Sequence, residues 1–241
     1  MNNAHAFKWR HFQDVIILQC VRWYLKYSIS YRDLEDMMSE RGVIVDHSTI
    51  YRWVMKYAHE LKQRSAWYCR NRGYSWRVDE TYVKVKGKWK YLYRAITKEG
   101  DTVDFYLSHT RNTKAAKRFL SKALKINKYW VPHTINTDLN PAYNQAIADI
   151  KAENQLHSDI QHRKVKYLNN NIESDHGKLK RLIKPMLGFK TMRSANSTIT
   201  GYEVMRTFKK GQFDFWMNLK GKNEIQFINE LFGVHAGEFC P

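Results

Sequence analysis

Cysteine, proline and long apolar runs are scarce in this sequence, and each shortage excludes something. The 241 residues include three cysteines, Cys20, Cys69 and Cys240, far apart and in no Cys-x-x-Cys pair. A disulfide framework or a structural zinc site is therefore not expected, and a reducing cytoplasm suits the chain. No run of eighteen apolar residues occurs, so no membrane span is expected. The longest apolar stretch, residues 12–27, is broken by Asp14, Gln19, Arg22 and Lys26 and lacks a small-residue cleavage site, so it does not read as a signal peptide. Only four prolines accompany 43% hydrophobic and 14% aromatic residues, a composition that belongs to folded rather than disordered chains.

Acidic residues are the other shortage. Against 41 Lys+Arg stand 23 Asp+Glu, a formal net charge of +18. The excess is concentrated: residues 73–193 hold 24 basic and 11 acidic side chains, whereas residues 194–241 hold five of each. A basic body with a neutral tail is suited to a polyanion. Nucleic acid fits better than a membrane surface, because no basic amphipathic helix with a clean apolar face is present.

The pattern along the chain changes once. Residues 11–28 place Ile16, Cys20, Trp23 and Tyr27 at helical spacing. Residues 30–42 form a second helical segment, with Ser30 as its N-cap, Asp33 in its first turn and Gly42 as its stop. Asp46 precedes a third, with Ile50, Trp53, Val54 and Tyr57 on one face. Three helices with a short turn before the last predict a helix-turn-helix unit. From Trp76 the residues alternate and are rich in Val, Thr and Tyr: 76–85, 89–97 and 102–110 read as an antiparallel meander around Gly turns. A helix opening at Asn112 or Thr113, a short strand at 133–137, a helix from Pro141, a strand at 160–167 and a helix from Asn170 or Asn171 to Lys184 follow. The order β-β-β-α-β-α-β-α predicts an α/β domain with a mixed sheet, the order of ribonuclease-H-like folds. Expected domains are residues 1–65 (helix-turn-helix), 66–75 (linker), 76–193 (catalytic) and 194–241 (a C-terminal helical segment). Trp53, Trp76, Trp89 and Trp130 are expected to fill cores. Phe213 and Trp216 suit packing against a second protomer or within the chain equally well.

Within so basic a domain, three acids stand where α/β folds place ligands. Asp79 lies inside the first strand, facing away from Val78. Asp138 follows a short strand, and Glu173 opens the last helix of the domain. Each has a plainer role available: a surface acid with Glu80 functional instead, a helix cap, or a first-turn acid complementing the helix dipole. Together they suggest carboxylates converging on a cation, and Mg²⁺ prefers such oxygen ligands. Two ions about 3.5–4 Å apart can clamp the attacking and leaving oxygens of phosphoryl transfer.

The segments DHSTIYRWV (46–54), WRVDETYVKV (76–85), YLYRAIT (91–97), NTD followed by PAY (136–143), KYLNNNIESDHGKLKR (166–181) and GYEVMR (201–206) resemble the DDE transposases of bacterial insertion sequences, the IS6 family. The resemblance spans roughly residues 7–210, and the 34 residues between Asp138 and Glu173 are similar to that family's DD-34-E spacing. It implies a ribonuclease-H-like catalytic domain behind a helix-turn-helix, with Asp79, Asp138 and Glu173 as catalytic and metal-binding residues for two Mg²⁺ ions, or Mn²⁺ in their place. The partners implied are double-stranded DNA (the element's terminal inverted repeats and a target) and further copies of the chain on that DNA, in a bacterial cytoplasm at the nucleoid. Leu139-Asn140 departs from the Lys-Ala usual in the family, and the tail after about residue 211 matches nothing in it.

The mechanism implied is cleavage at the element's ends, leaving a 3′-hydroxyl that attacks target DNA, with no covalent protein intermediate. A tyrosine recombinase is disfavoured because no Arg-His-Arg set precedes a late tyrosine. The alternative function is an inactive regulator that binds DNA through residues 10–65. His47, Ser48, Thr49, Tyr51 and Arg52, in the first two turns of the third helix, are the expected base-reading residues. Lys180, seven residues after Glu173 on the same face, is the expected contact of the last helix, with Lys178 and Arg181 beside it. His162 and His176 suit structural or DNA-contact roles better than that of a general base.

Overall fold

The computed structural model describes residues 6–7, 11–70, 73–127, 131–153 and 159–234, the side chains of Lys166 and Tyr167 excepted. Trp130 and Cys240 lie outside the described residues. The chain divides into two compact units: residues 71–180 with 187–192, and residues 1–70 with 181–186 and 193–241.

The second stretch of the chain builds a five-stranded sheet. Strands β1 (Ser75–Val85), β2 (Lys88–Thr97) and β3 (Thr102–Ser108) form the expected meander, and β4 (Thr134–Thr137) and β5 (Gln161–Lys164) complete it in the order β3-β2-β1-β4-β5. The β1–β2 turn sets both Lys86 (φ 50°) and Gly87 (φ 73°) left-handed. That is the twist a two-residue hairpin requires. β4 runs parallel to β1, and β5 parallel to β4. This mixed order is that of the ribonuclease-H-like fold.

Helices α4 (Thr113–Ile126) and α5 (Pro141–Ala152) cover one face of the sheet. Their apolar stripes bury Ala116, Phe119, Leu120, Tyr143 and Ile147 against Trp76, Val78, Tyr93 and Ala95. Asn112 caps α4 through Ala115 N (2.9 Å), as the sequence suggested. Helix α6 (Asn170–Ile183) belongs to the other face and gives way to a short 3₁₀ turn at Lys184–Met186, where Pro185 removes a backbone donor. Trp76 is buried, but Trp89 is 63% exposed near the hairpin turn, its ring nearly perpendicular to that of Tyr82. The expectation that Trp89 fills a core is therefore corrected. Alternation along a strand assigns a residue to a face, and burial also needs a layer over that stretch.

The helical unit begins with α1 (Asp14–Lys26), α2 (Tyr31–Ser39) and α3 (His47–Ser65). Ser30 and Asp33 form a reciprocal capping box on α2, and the Asp46 carboxylate accepts from Ser48 N (2.7 Å) to cap α3. Trp53 is buried on α3. Helix α7 (Met192–Lys209) is buried almost throughout and runs against α1 and α3, where Gly201 faces Leu25 and Ala58. Helices α8 (Asp214–Leu219) and α9 (Glu224–Leu231) follow. Phe213 packs in cis against Phe208 (centroids 4.1 Å apart), and Trp216 against Tyr68 (5.6 Å).

Candidate active site

Alternation along β1 sorts its side chains into two environments. Trp76, Val78 and Glu80 face α4 and α5, whereas Asp79 faces α6. Asp138 directly follows β4. The parallel ladder pairs Arg77 with Asn136, so continuing it by two residues brings Asp138 level with Asp79. Asp79, Glu80 and Asp138 each offer a carboxylate oxygen, all within 4.8 Å of one another. These are hard oxygen donors, and the set fits Mg²⁺ or Mn²⁺ rather than a soft metal.

The three acids are not equally available. One oxygen of Glu80 accepts from the Arg111 side chain and, at 3.4 Å, from Asn140 Nδ2; the other accepts from the Tyr143 hydroxyl at 2.5 Å. Burial pushes the Glu80 carboxyl above its ordinary range. Tyr143 and Arg111 pull it back, while Asp79 and Asp138 push it further up. Asp138 accepts from Asn140 N (3.0 Å), but the cap of α5 is the Asn140 side chain, bonded to Ala142 N (3.1 Å). The departure at position 140 thus supplies a helix cap, and Asp138 is not needed for that role.

The other face of β1 carries a chain of buried polar groups. Arg94 on β2 is the direct cross-strand neighbour of Asp79 and is 1% exposed. Its Nη2 lies 2.5 Å from Asp175 Oδ2, and its Nη1 lies 3.1 Å from His176 Nδ1. His176 Nε2 in turn lies 3.2 Å from Asp79 Oδ2. Burial holds the His176 imidazole below its ordinary pKa; the Asp79 hydrogen bond opposes this, and the Arg94 charge adds to it. Sequence reasoning did not foresee Arg94 or Asp175 here. The only available signal was an arginine opposite an aspartate in a register that the two-residue turn fixes.

Glu173 lies in the first turn of α6 and is exposed, outside the 4.8 Å grouping. It is one turn before His176, the residue of α6 that meets Asp79. Lys178 and Lys180 are exposed on the same helix, as is Arg181, and a Cβ on Gly177 would meet nothing within 4 Å. His162 is bonded through Nε2 to Thr137 Oγ1 (2.9 Å). On α3, Tyr51 and Arg52 are exposed, Ser48 and Thr49 are half-buried, and His47 Nδ1 lies 2.9 Å from Glu35 Oε2.

A family model described as a DDE domain (DDE_Tnp_IS240) matches residues 73–212. The chain is 38% identical over 207 residues to the transposase for the insertion sequence-like element IS431mec of Staphylococcus aureus, covering 86% of this chain and 90% of that one. The same identity and coverages hold for the transposase of insertion sequence element IS257 in transposon Tn4003, also from Staphylococcus aureus. Among solved structures, the HTLV-2 integrase catalytic core domain in complex with magnesium matches with a TM-score of 0.42 and 17% identity, over 54% of this chain and 85% of that one. With the family model matching more than half of its length, and these relatives matching nearly all of it, the chain belongs to the DDE transposases of the IS6 family.

Proposed function

We propose that this transposase binds the terminal inverted repeats of its insertion sequence, cleaves at the element's ends and joins the 3′-hydroxyl to target DNA, with Asp79, Asp138 and Glu173 as the acidic triad. The observation that carries the reading is the meeting of Asp79 and Asp138 from neighbouring parallel strands. Two Mg²⁺ ions, or Mn²⁺ in their place, would supply Lewis acidity and an activated water there. Asp79 and Asp138 would hold the cations through carboxylate oxygens, and Glu173 would close the set from α6. Lys178, Lys180 and Arg181 would contact DNA phosphates along that helix. Ser48, Thr49, Tyr51 and Arg52, with His47 beside them, would read bases from the start of α3. The enzyme would act as a homo-oligomer on double-stranded DNA at the bacterial nucleoid. No described helix is long and apolar enough to cross a membrane. The test is strand transfer by Asp79→Asn, Asp138→Asn and Glu173→Gln. Each should abolish it while leaving end binding intact, because an amide keeps the shape but not the charge that holds a cation. Normal strand transfer by any one of them removes that residue from the triad.

One observation favours a second reading, in which Glu80 replaces Glu173: Glu80 is the residue grouped with the two aspartates. Against it, both Glu80 oxygens already accept from Arg111, Asn140 and Tyr143.

A further inference from the structure

The hydrogen-bond chain behind Asp79 fixes a proton. A guanidinium has only donors, so at 3.1 Å from Arg94 Nη1 the His176 Nδ1 must be the acceptor and carries no hydrogen. The ring proton is then on Nε2, which donates to Asp79 Oδ2 at 3.2 Å. A ring with the opposite tautomer would set N–H against N–H on one side and a bare nitrogen against a carboxylate on the other. His176 is 5% exposed, so water cannot readily take up either mismatch.

The same geometry addresses a hazard. Cross-strand neighbours on one face of a sheet have Cβ atoms about 4.5–5.5 Å apart. Arg94 faces Asp79 in this way and would otherwise be its natural ion-pair partner. A guanidinium on Asp79 would compete with any cation for the carboxylate. Instead Arg94 is paired with Asp175 at 2.5 Å, and the imidazole stands between it and Asp79. The neutral imidazole orients the Asp79 carboxylate without cancelling its charge.

We propose that His176, oriented by Arg94 and Asp175, is a positioning residue for Asp79: a neutral Nε2–H donor that fixes the carboxylate and keeps the Arg94 cation one ring away from it. The inference rests on the proposed metal-binding role of Asp79. It concerns adjacent residues 175 and 176, whose separate partners divide one arginine between a carboxylate and an imidazole. Asp175 acts on Arg94, Arg94 on the ring, and the ring on Asp79.

The test is direct Mn²⁺ binding to the full chain without DNA, measured by calorimetry for the wild type, His176→Gln and His176→Asn. The Gln amide reaches the position of Nε2 and keeps a donor for Asp79. The Asn side chain keeps an acceptor near the position of Nδ1 for Arg94 but falls short of Asp79. We expect His176→Gln to bind Mn²⁺ about as the wild type does and His176→Asn to bind it about 10-fold or more weakly, the usual scale for losing a group that orients a metal ligand. Equal Mn²⁺ affinity for wild type and His176→Asn overturns the proposal, as does a loss for His176→Gln matching that for His176→Asn. Absence of binding by the wild type overturns the metal reading itself, so the two failures are distinct. A second measurement needs no variant to fold: the imidazole ¹⁵N spectrum of the wild type should show His176 protonated on Nε2 and bare on Nδ1. A proton on Nδ1 overturns the proposal.

Discussion

Replacing Glu80 by glutamine tests which acids belong to the catalytic set, and the expected effect on stability is counter-intuitive. Glu80 is 9% exposed, with Arg111 and Tyr143 bound to its two oxygens, so removing its charge looks harmful. The gains to be lost are modest. The Arg111 side chain is 40% exposed, which keeps that ion pair in the screened range of about 0.5–1 kcal/mol. Turning the tyrosine's charge-assisted hydrogen bond into a neutral one loses about 1 kcal/mol more. Against these stands the desolvation of a buried carboxylate, several kcal/mol for a fully buried ion, together with repulsion from Asp79 and Asp138. The Glu80 carboxyl is held above its ordinary range, so burial outweighs its partners and the charged form is the disfavoured one. Glu80→Gln, close in shape to the protonated acid, should therefore fold and melt at or slightly above the wild-type temperature at neutral pH without divalent cation. The expected rise is within about 2–4 °C, corresponding to roughly 1 kcal/mol. The pH dependence has a definite sign. A carboxyl raised in the folded state contributes stability that is fully present below its unfolded value, about 4.3. That stability is lost as pH rises through the folded value. The advantage of Glu80→Gln should thus vanish in acid and open as pH rises. In strand-transfer assays Glu80→Gln should stay active where Glu173→Gln is inactive. A folded but inactive Glu80→Gln beside an active Glu173→Gln would refute the assignment of the triad, and a melting temperature well below wild type at neutral pH would refute the desolvation reasoning.

Three further outcomes are expected. Gly201→Ala should destabilise the helical unit by up to about 2 kcal/mol in urea melts: its Cβ would lie 2.5 Å from Leu25 Cδ2 and 3.0 Å from Ala58 Cβ, and overpacking of about 1–3 kcal/mol stands against the roughly 1 kcal/mol that Ala gains over Gly in a helix. Arg52→Ala should cost about 1–3 kcal/mol on terminal-repeat DNA and little on unrelated DNA, whereas Lys180→Ala should weaken binding to both and reduce the salt slope by about one counterion; identical profiles would mean that these residues do not divide base from phosphate contact as proposed. Burial pushes the Cys20 thiol up to about 12, so in a Cys69→Ser, Cys240→Ser chain it should resist alkylation at neutral pH until the protein is unfolded, and rapid labelling of the native form would contradict its burial.

The candidate site was legible in part. Asp79 and Asp138 could be named because a strand interior and a strand end are positions that local pattern assigns, and the fold brings their carboxylates within 4.8 Å of each other. Glu173 is suggested by its helix turn and its spacing from Asp138, and the fold leaves it exposed in the first turn of α6, outside the carboxylate group. Glu80 could be named only as an alternative to Asp79. Adjacent residues on a strand point to opposite faces, and pattern alone does not say that Arg111, before α4, and Asn140 and Tyr143, at the start of α5, converge on one of them.

By itself the sequence determined what depends on near neighbours. It determined the helical segments and their caps at Ser30, Asp46 and Asn112, the meander with its Lys86-Gly87 turn, the strand–helix alternation after it, and a basic charge suited to DNA. Those features follow from periodicity, side-chain capping and φ preferences within a few residues. The tertiary structure decided the rest. Helix α7 is buried nearly all round, so no polar face marked it as the helix at the centre of its unit. Trp89 is exposed although an apolar residue in a strand suggested burial, because burial depends on a covering layer that the strand does not encode. Asp175, Arg94, His176 and Asp79 became one hydrogen-bonded line only when α6 met β1 and β2. Pairing across 81 to 97 residues of sequence is fixed by the sheet register and the seating of the helix, and neither can be read from the residues one at a time.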